Sequence, residues 1–249
     1  MTAARSMAIL GGAGGIGRAL VACLKSEGAA VAVLDLPASL ERHPVPAGVT
    51  AIPLDLTDAA SLQAGFSQLA AAMPALDGIV NLSGFMTPRR PLEDTPPEDL
   101  DAVLATNLRG AARAAQAALP LLRAGRSPAM VQVASGLAQH IRPGFGPYAM
   151  AKAGLIALTR TLALEAAPLI RVNAVCPGAV DTAFLRGGTG RSDEAEAPDI
   201  DIPAYAAAIP LGRMAEPQDV VGPIRFLLSE DSAYMTGQCL WINGGAYMP

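Results

Sequence analysis

Short apolar, often β-branched runs alternate along this chain with longer Ala- and Leu-rich stretches. The short runs predict strands at residues 7–10, 30–35, 49–54, 78–82, 129–134, 170–175 and 238–242. The longer stretches predict helices at 16–26, 59–72, 97–122, 147–166 and 217–228. Most of the strands are continuously apolar rather than alternating, as strands covered on both faces are. Strand and helix in alternation imply an α/β fold: a three-layer, doubly wound sheet of mostly seven parallel strands in a single domain, 1–249. In such a fold, ligands sit beyond the carboxyl ends of the strands. One long stretch rich in Gly, Asp, Glu and Pro, residues 182–203, has no regular pattern. A loop of that length in a compact domain is functional or mobile, so residues 183–210 are expected to form a mobile substrate loop.

Composition narrows the classes. Of the 249 residues, 51% are hydrophobic and 16% charged, which excludes a disordered chain. A net charge of −4 argues against a protein that reads a phosphate backbone, so no nucleic-acid partner is expected. No signal-like segment and no membrane-length apolar run is readable, and the expected compartment is the cytoplasm. Cys23, Cys176 and Cys239 fit no metal or disulfide spacing and read as buried free thiols. With only His43 and His140 besides, no metal site is expected. The chain is biased toward alanine, has two lysines (Lys25, Lys152) and four asparagines (Asn81, Asn107, Asn173, Asn243). Those rare residues are where chemistry is sought first.

The first strand runs into Gly11-Gly12-Ala13-Gly14-Gly15-Ile16-Gly17, which opens a helix. Glycines there allow a tight turn and close backbone approach to a pyrophosphate, which the helix N-terminus attracts. Asp35 ends the second strand about 20 residues on, where an acid takes a ribose 2′-hydroxyl. A carboxylate there repels a 2′-phosphate, and Leu36 and Pro37 bring no cation. The expected cofactor is therefore NAD(H) rather than NADP(H), although Arg18, near the loop, could help a phosphate.

Over essentially its whole length the sequence resembles the classical short-chain dehydrogenase/reductase family. The glycine turn matches the family's T-G-x-x-x-G-x-G, with Leu10 in place of Thr. Asn81-Leu82-Ser83-Gly84 stands for N-N-A-G, Tyr148-Ala149-Met150-Ala151-Lys152 for Y-x-x-x-K, and Pro177-Gly178-Ala179-Val180-Asp181-Thr182 for P-G-x-V-x-T. Ser135 lies thirteen residues before Tyr148, and Asn107 falls in Thr106-Asn107-Leu108. Asn243 stands where the family usually has Asp. The resemblance implies catalytic Asn107, Ser135, Tyr148 and Lys152. It implies cofactor contacts from Gly11, Gly14, Gly15, Ile16, Gly17, Asp35, Leu36, Asp55, Leu56, Asn81, Tyr148, Lys152, Pro177, Gly178, Val180 and Thr182. Asp55 takes the adenine amino group in that reading, or else is an acid before the next helix; Asp58 fits the helix cap better.

The chemistry is consistent with those roles. Tyr148 must move the hydroxyl proton, and an ordinary tyrosine titrates near pH 10. Lys152, four residues on and on the same helical face, is expected to bring the phenol toward working pH. Ser135 can polarise the substrate oxygen. Asn107, by resemblance, holds a water that links Lys152 to solvent. Phe85, Met86, Leu137, Phe145, Phe184 and Leu185 predict an apolar substrate pocket, hence a secondary alcohol or ketone with apolar substituents. His140 and Arg142 either orient a polar substrate end or are solvated. Ser192-Asp193-Glu194-Ala195-Glu196 belongs to a substrate lid or is a solvated charge run. Alanine-rich helices around Asn107 and Tyr148 fit the family's homodimer and homotetramer interfaces, or packing on the sheet. Two alternatives stand beside this reading: a 3-oxoacyl-thioester reductase docking acyl-carrier protein through Arg89, Arg90, Arg123 and Arg126, and an inactive dinucleotide-binding sensor or scaffold.

Overall fold

The computed structural model describes residues 4–192, 194–195 and 200–249. Seven strands form one sheet in the order β3-β2-β1-β4-β5-β6-β7, and every neighbouring pair is parallel. They are β1 (Ser6–Leu10), β2 (Ala30–Asp35), β3 (Thr50–Pro53), β4 (Gly78–Asn81), β5 (Ala129–Val133), β6 (Arg171–Pro177) and β7 (Cys239–Ile242). The order reverses between β1 and β4, which opens a crevice at the strand ends there.

Period-two alternation divides each inner strand between two apolar layers. Ala8 and Leu10 of β1, with Ala32 and Leu34 of β2, face one core. That core is closed by α3 (Ala59–Ala72), α5 (Ala111–Arg123) and α6 (Gly146–Ala166), through Phe66, Leu69, Ala118, Leu122 and Leu162. Met7, Ile9, Val31 and Val33 face the other core, closed by α1 (Gly15–Ser26) and α8 (Pro217–Leu228). Burial on both faces is why these strands read as unbroken apolar runs.

Four features depart from the sequence expectations. A short helix α2 (Pro37–Arg42) follows β2, and α7 (Ile202–Ala207) lies within residues 183–210, expected to form a loop. The helix expected over 97–122 is α4 (Pro97–Leu104) and α5 joined by a π-helical turn, Ala105–Gly110. Of the cysteines, Cys176 alone is fully buried; Cys23 and Cys239 are half-buried, because they stand at the margins of the apolar layers. Among the described residues, no helix is long and apolar enough to cross a membrane.

Candidate active site

A cavity of about 810 Å³ opens along the carboxyl ends of the strands. Its first wall is the glycine turn. Gly11 takes a left-handed φ of 76°, and a Cβ on it would lie 2.9 Å from the backbone of Leu82 and Ser83. A Cβ on Gly17 would lie 2.4 Å from the Gly11 carbonyl oxygen, so only glycine lets α1 start this close to the turn. The free N–H groups at the start of α1 thus border the cavity, as an anion requires. Arg18 turns back on this loop and donates to the Ala13 carbonyl at 2.9 Å.

Asp35 ends β2 at the cavity wall. Its Oδ2 accepts from the Ala13 N–H at 2.9 Å and its Oδ1 from the Leu36 N–H at 2.8 Å. Burial raises the carboxyl above the usual range, while these donors, Ser39 and the Arg191 charge oppose that. Asp58 caps α3, accepting from Ala60 and Ser61, as the sequence suggested. Asp55 is thereby left outside the cap; it holds Thr57 and lines the cavity beside Leu56.

The residues expected to be catalytic meet at the cavity. Ser135 follows β5, and Tyr148 and Lys152 project from one face of α6. The Lys152 ammonium donates to the Val133 carbonyl at 2.8 Å and lies 5.5 Å from the centre of the Tyr148 ring. Burial lowers Lys152 to about 8, and it pushes the Tyr148 phenol above its ordinary value, opposed by a side-chain hydrogen bond with Ser135. Desolvation is the dominant influence on Tyr148, and it favours the protonated phenol.

Asn107 sits within the π-turn and is fully buried. Its Nδ2 donates to the carbonyls of Val103 and Phe85, each at 2.9 Å. The Val103 carbonyl is the one an α-helix would give to the backbone N–H four residues on; here, beside the π register, it accepts from the Asn107 side chain. Asn107 Oδ1 is left with no hydrogen-bond partner. It points at Gly84, where a Cβ would lie 2.3 Å from it and 3.5 Å from Lys152 Nζ. A buried acceptor with an open lone pair beside a buried ammonium is a place for water.

Most residues expected from the sequence converge on this cavity: Gly11, Gly14, Gly15, Ile16, Gly17, Asp35, Leu36, Asp55, Leu56, Ser135, Tyr148, Lys152, Pro177, Gly178, Val180 and Thr182 all line it. Asn81 does not. Its Nδ2 donates to Gln132 Oε1 at 2.9 Å and its Oδ1 accepts from Ser83 N–H at 3.1 Å, so its side chain ties β4 to β5 behind the wall. Asn107 likewise stands behind the lining, against Gly84. Asn173 joins β6 to the approach of β7, donating to Met235 and accepting from Gln238. Met86, Leu137, Phe145, Phe184 and Leu185 line the cavity with His140 and Arg142; Phe85 instead packs under the side chain of Arg191. Glu194 pairs with Arg42 and His43, while Asp193 and Glu196 lie outside the described residues. Sequence reasoning missed Ser39, Tyr205, Tyr247 and Arg191, all at the cavity. Tyr205 accepts the Ala179 N–H at 3.0 Å, and no motif spacing announces so distant a pair.

The sequence model of a family described as "Enoyl-(Acyl carrier protein) reductase" matches residues 11–247. The chain belongs to the short-chain dehydrogenase/reductase family, and it is an oxidoreductase by class. It is similar to the 3-oxoacyl-[acyl-carrier-protein] reductase FabG of Thermotoga maritima, 33% identical over 95% of each chain. It is also similar to the 4-formylbenzenesulfonate dehydrogenase TsaC1/TsaC2 of Comamonas testosteroni, 32% identical over 95% of each. The 3-ketoacyl-(acyl-carrier-protein) reductase of Brucella melitensis, solved with NADH, superposes with a TM-score of 0.86 at 25% identity, over 98% of both chains. The family binds a nicotinamide dinucleotide.

Proposed function

We propose that this enzyme is an NAD(H)-dependent alcohol dehydrogenase or ketone reductase acting on secondary alcohols or ketones with apolar substituents. The observation that carries the reading is the meeting of Ser135, Tyr148 and Lys152 at one end of a cavity whose other end is the glycine turn and Asp35. The cavity's donors and close-packed glycines fit a dinucleotide, with its diphosphate over the N-terminus of α1 and an adenosine ribose on Asp35. When bound, nicotinamide supplies or accepts the hydride.

The chain's own groups handle the proton. In reduction the protonated Tyr148 phenol gives its proton to the carbonyl oxygen, which Ser135 also holds. The Lys152 ammonium, charged below about pH 8, stabilises the phenolate that results. Its carbonyl partner Val133 fixes its direction. Asn107 Oδ1 supports a water beside Lys152, through which the phenolate is reprotonated from solvent. In alcohol oxidation the same steps run backward. Asp35 favours NAD(H), since a 2′-phosphate would meet a carboxylate already oriented by two backbone donors.

An oligomer accompanies this proposal. On α6, Met150 and Leu164 are exposed apolar side chains beside exposed Ala153 and Ala157, a face suited to close packing with a second copy. On α5, by contrast, Ala111, Ala114, Ala115 and Ala118 are buried within the subunit. The proposed assembly is a homodimer or homotetramer.

A 3-oxoacyl-thioester reductase is the second reading, favoured by the reductase relatives and by Arg89 and Arg142 at the cavity. A panel of ketones, secondary alcohols and acetoacetyl thioesters, followed at the NADH absorbance with both NAD(H) and NADP(H), tests the two. Turnover of simple ketones with NADH supports the first. A preference for thioesters and NADPH overturns it in favour of the second.

A further inference from the structure

The chain leaving β6 does not simply return to α8; it first crosses the cavity. Its start is fixed at α1, where a Cβ on Gly15 would lie 2.5 Å from Thr182 Cγ2. A 3-10 turn, Ala183–Arg186, follows. Gly187, Gly188 and Gly190 then take left-handed φ values of 101°, 104° and 71°, a run of turns that side chains would resist. At the far side the backbone docks on α2. Ser39 Oγ donates to the Thr189 carbonyl at 3.0 Å, and Arg42 donates to the Ser192 carbonyl at 3.3 Å. Glu194 lies 3.3 Å from Arg42 and 3.1 Å from His43 Nε2. Gly190 abuts Ser39 so closely that a Cβ would lie 2.8 Å from the Ser39 nitrogen. Residues 187–192 are thus a strap tied at both ends, over a cavity that Gly187, Gly188, Thr189 and Arg191 line.

Arg191, an exposed residue, is the cation this strap carries at the rim of the cavity. Its guanidinium lies 4.4 Å from the centre of the Phe85 ring. Phe85 packs in the cluster of Tyr148 and Phe184, at the catalytic end. The same charge is felt by Asp35, at the ribose end. The cation thus lies between the catalytic end and Asp35, in a cavity that Gly14, Gly15, Ile16 and Gly17 at the start of α1 also line. Among the described residues the guanidinium has an aromatic face to rest on and no ion-pair partner.

We propose that Arg191 is a cofactor-binding residue that holds the dinucleotide's diphosphate from the solvent side, opposite the glycine turn. The inference rests on the dinucleotide reading above. Its chemistry is that of a planar, permanently charged fork suited to two phosphate oxygens.

The test compares the unmodified chain with Arg191→Ala and Arg191→Lys. NADH and NADPH binding are titrated by nicotinamide fluorescence; ADP-ribose and adenosine are measured by displacement of NADH. Arg191→Ala is expected to weaken NADH, NADPH and ADP-ribose alike by about tenfold or more, the loss of one charge-assisted contact. Adenosine, which lacks the diphosphate, should bind as before, and Arg191→Lys should recover part of the loss. Unchanged NADH and ADP-ribose binding overturns the proposal. So does an equal loss for adenosine, which would make Arg191 a support of the strap, or a loss confined to NADPH, which would move the contact to a 2′-phosphate. If the unmodified chain binds no dinucleotide at all, the reading of the cavity falls first, a result distinct from these.

Discussion

Replacing Asn81 by Ala should cost stability far more than cofactor affinity. The Asn81 side chain serves two groups: Gln132 Oε1, on a residue 1% exposed, and the N–H of half-buried Ser83. Stranding a buried polar atom costs about 1–3 kcal/mol. Gln132 has no water to turn to and should bear the upper part of that range. Ser83 borders the cavity, so water reaches its N–H and its share is smaller. Together they predict a loss of about 2–4 kcal/mol. Chemical denaturation at one fixed protein concentration measures it, because self-association would otherwise shift the midpoint. In a Gln132→Leu background the same Asn81 change should cost roughly 1 kcal/mol, since the stranded oxygen is gone. NADH affinity should move by less than about threefold, under 1 kcal/mol. A loss below about 0.5 kcal/mol together with a tenfold weaker NADH complex would refute the reasoning and return Asn81 to the cofactor.

Tyr148→Phe should lower kcat by between about 10² and 10⁴, the range of a lost general acid, with the NADH Kd unchanged; retention of most turnover in steady-state assays would remove Tyr148 from the chemistry. Asp219, held at about 2 against its ordinary 3.8 by the Arg213 hydrogen bond, stabilises the fold above pH 3.8, and that contribution fades as pH falls toward 2. The pair is exposed, so Asp219→Asn should cost under about 1 kcal/mol at pH 7 and flatten the acid limb of the stability curve between those values; an unchanged acid limb would count against the pair. Size-exclusion chromatography with light scattering should find a dimer or tetramer, and a clean species of 25.4 kDa would refute the α6 interface.

The sheet was legible because parallel strands buried on both faces leave continuous apolar runs, and β2, α3 and α8 fall at the residues their patterns indicate. Ser135, Tyr148 and Lys152 were legible for another reason: residue type and spacing along one helix survive in sequence. What was not legible depends on partners far apart in the chain. Asn81 and Asn107 look alike as motif asparagines, but only the positions of Gln132 and Phe85 separate a strand tie from a residue beside Lys152. The docking of Thr189 on Ser39 spans 150 residues and has no local signal. The π-turn was hidden because Ala-rich sequence on either side has the same period with or without one widened turn.

That widened turn makes chain length itself a functional variable. Between Ala105 and Gly110 the helix holds one residue more than its hydrogen-bond ladder needs. Deleting a single residue there would restore an ordinary ladder and give a better helix by local measures. It would also return the Val103 carbonyl to the backbone, withdraw the Asn107 amide from Phe85, and turn all of α5 by about 100° against α3. In this stretch a shorter chain would be the more regular one, and the less able.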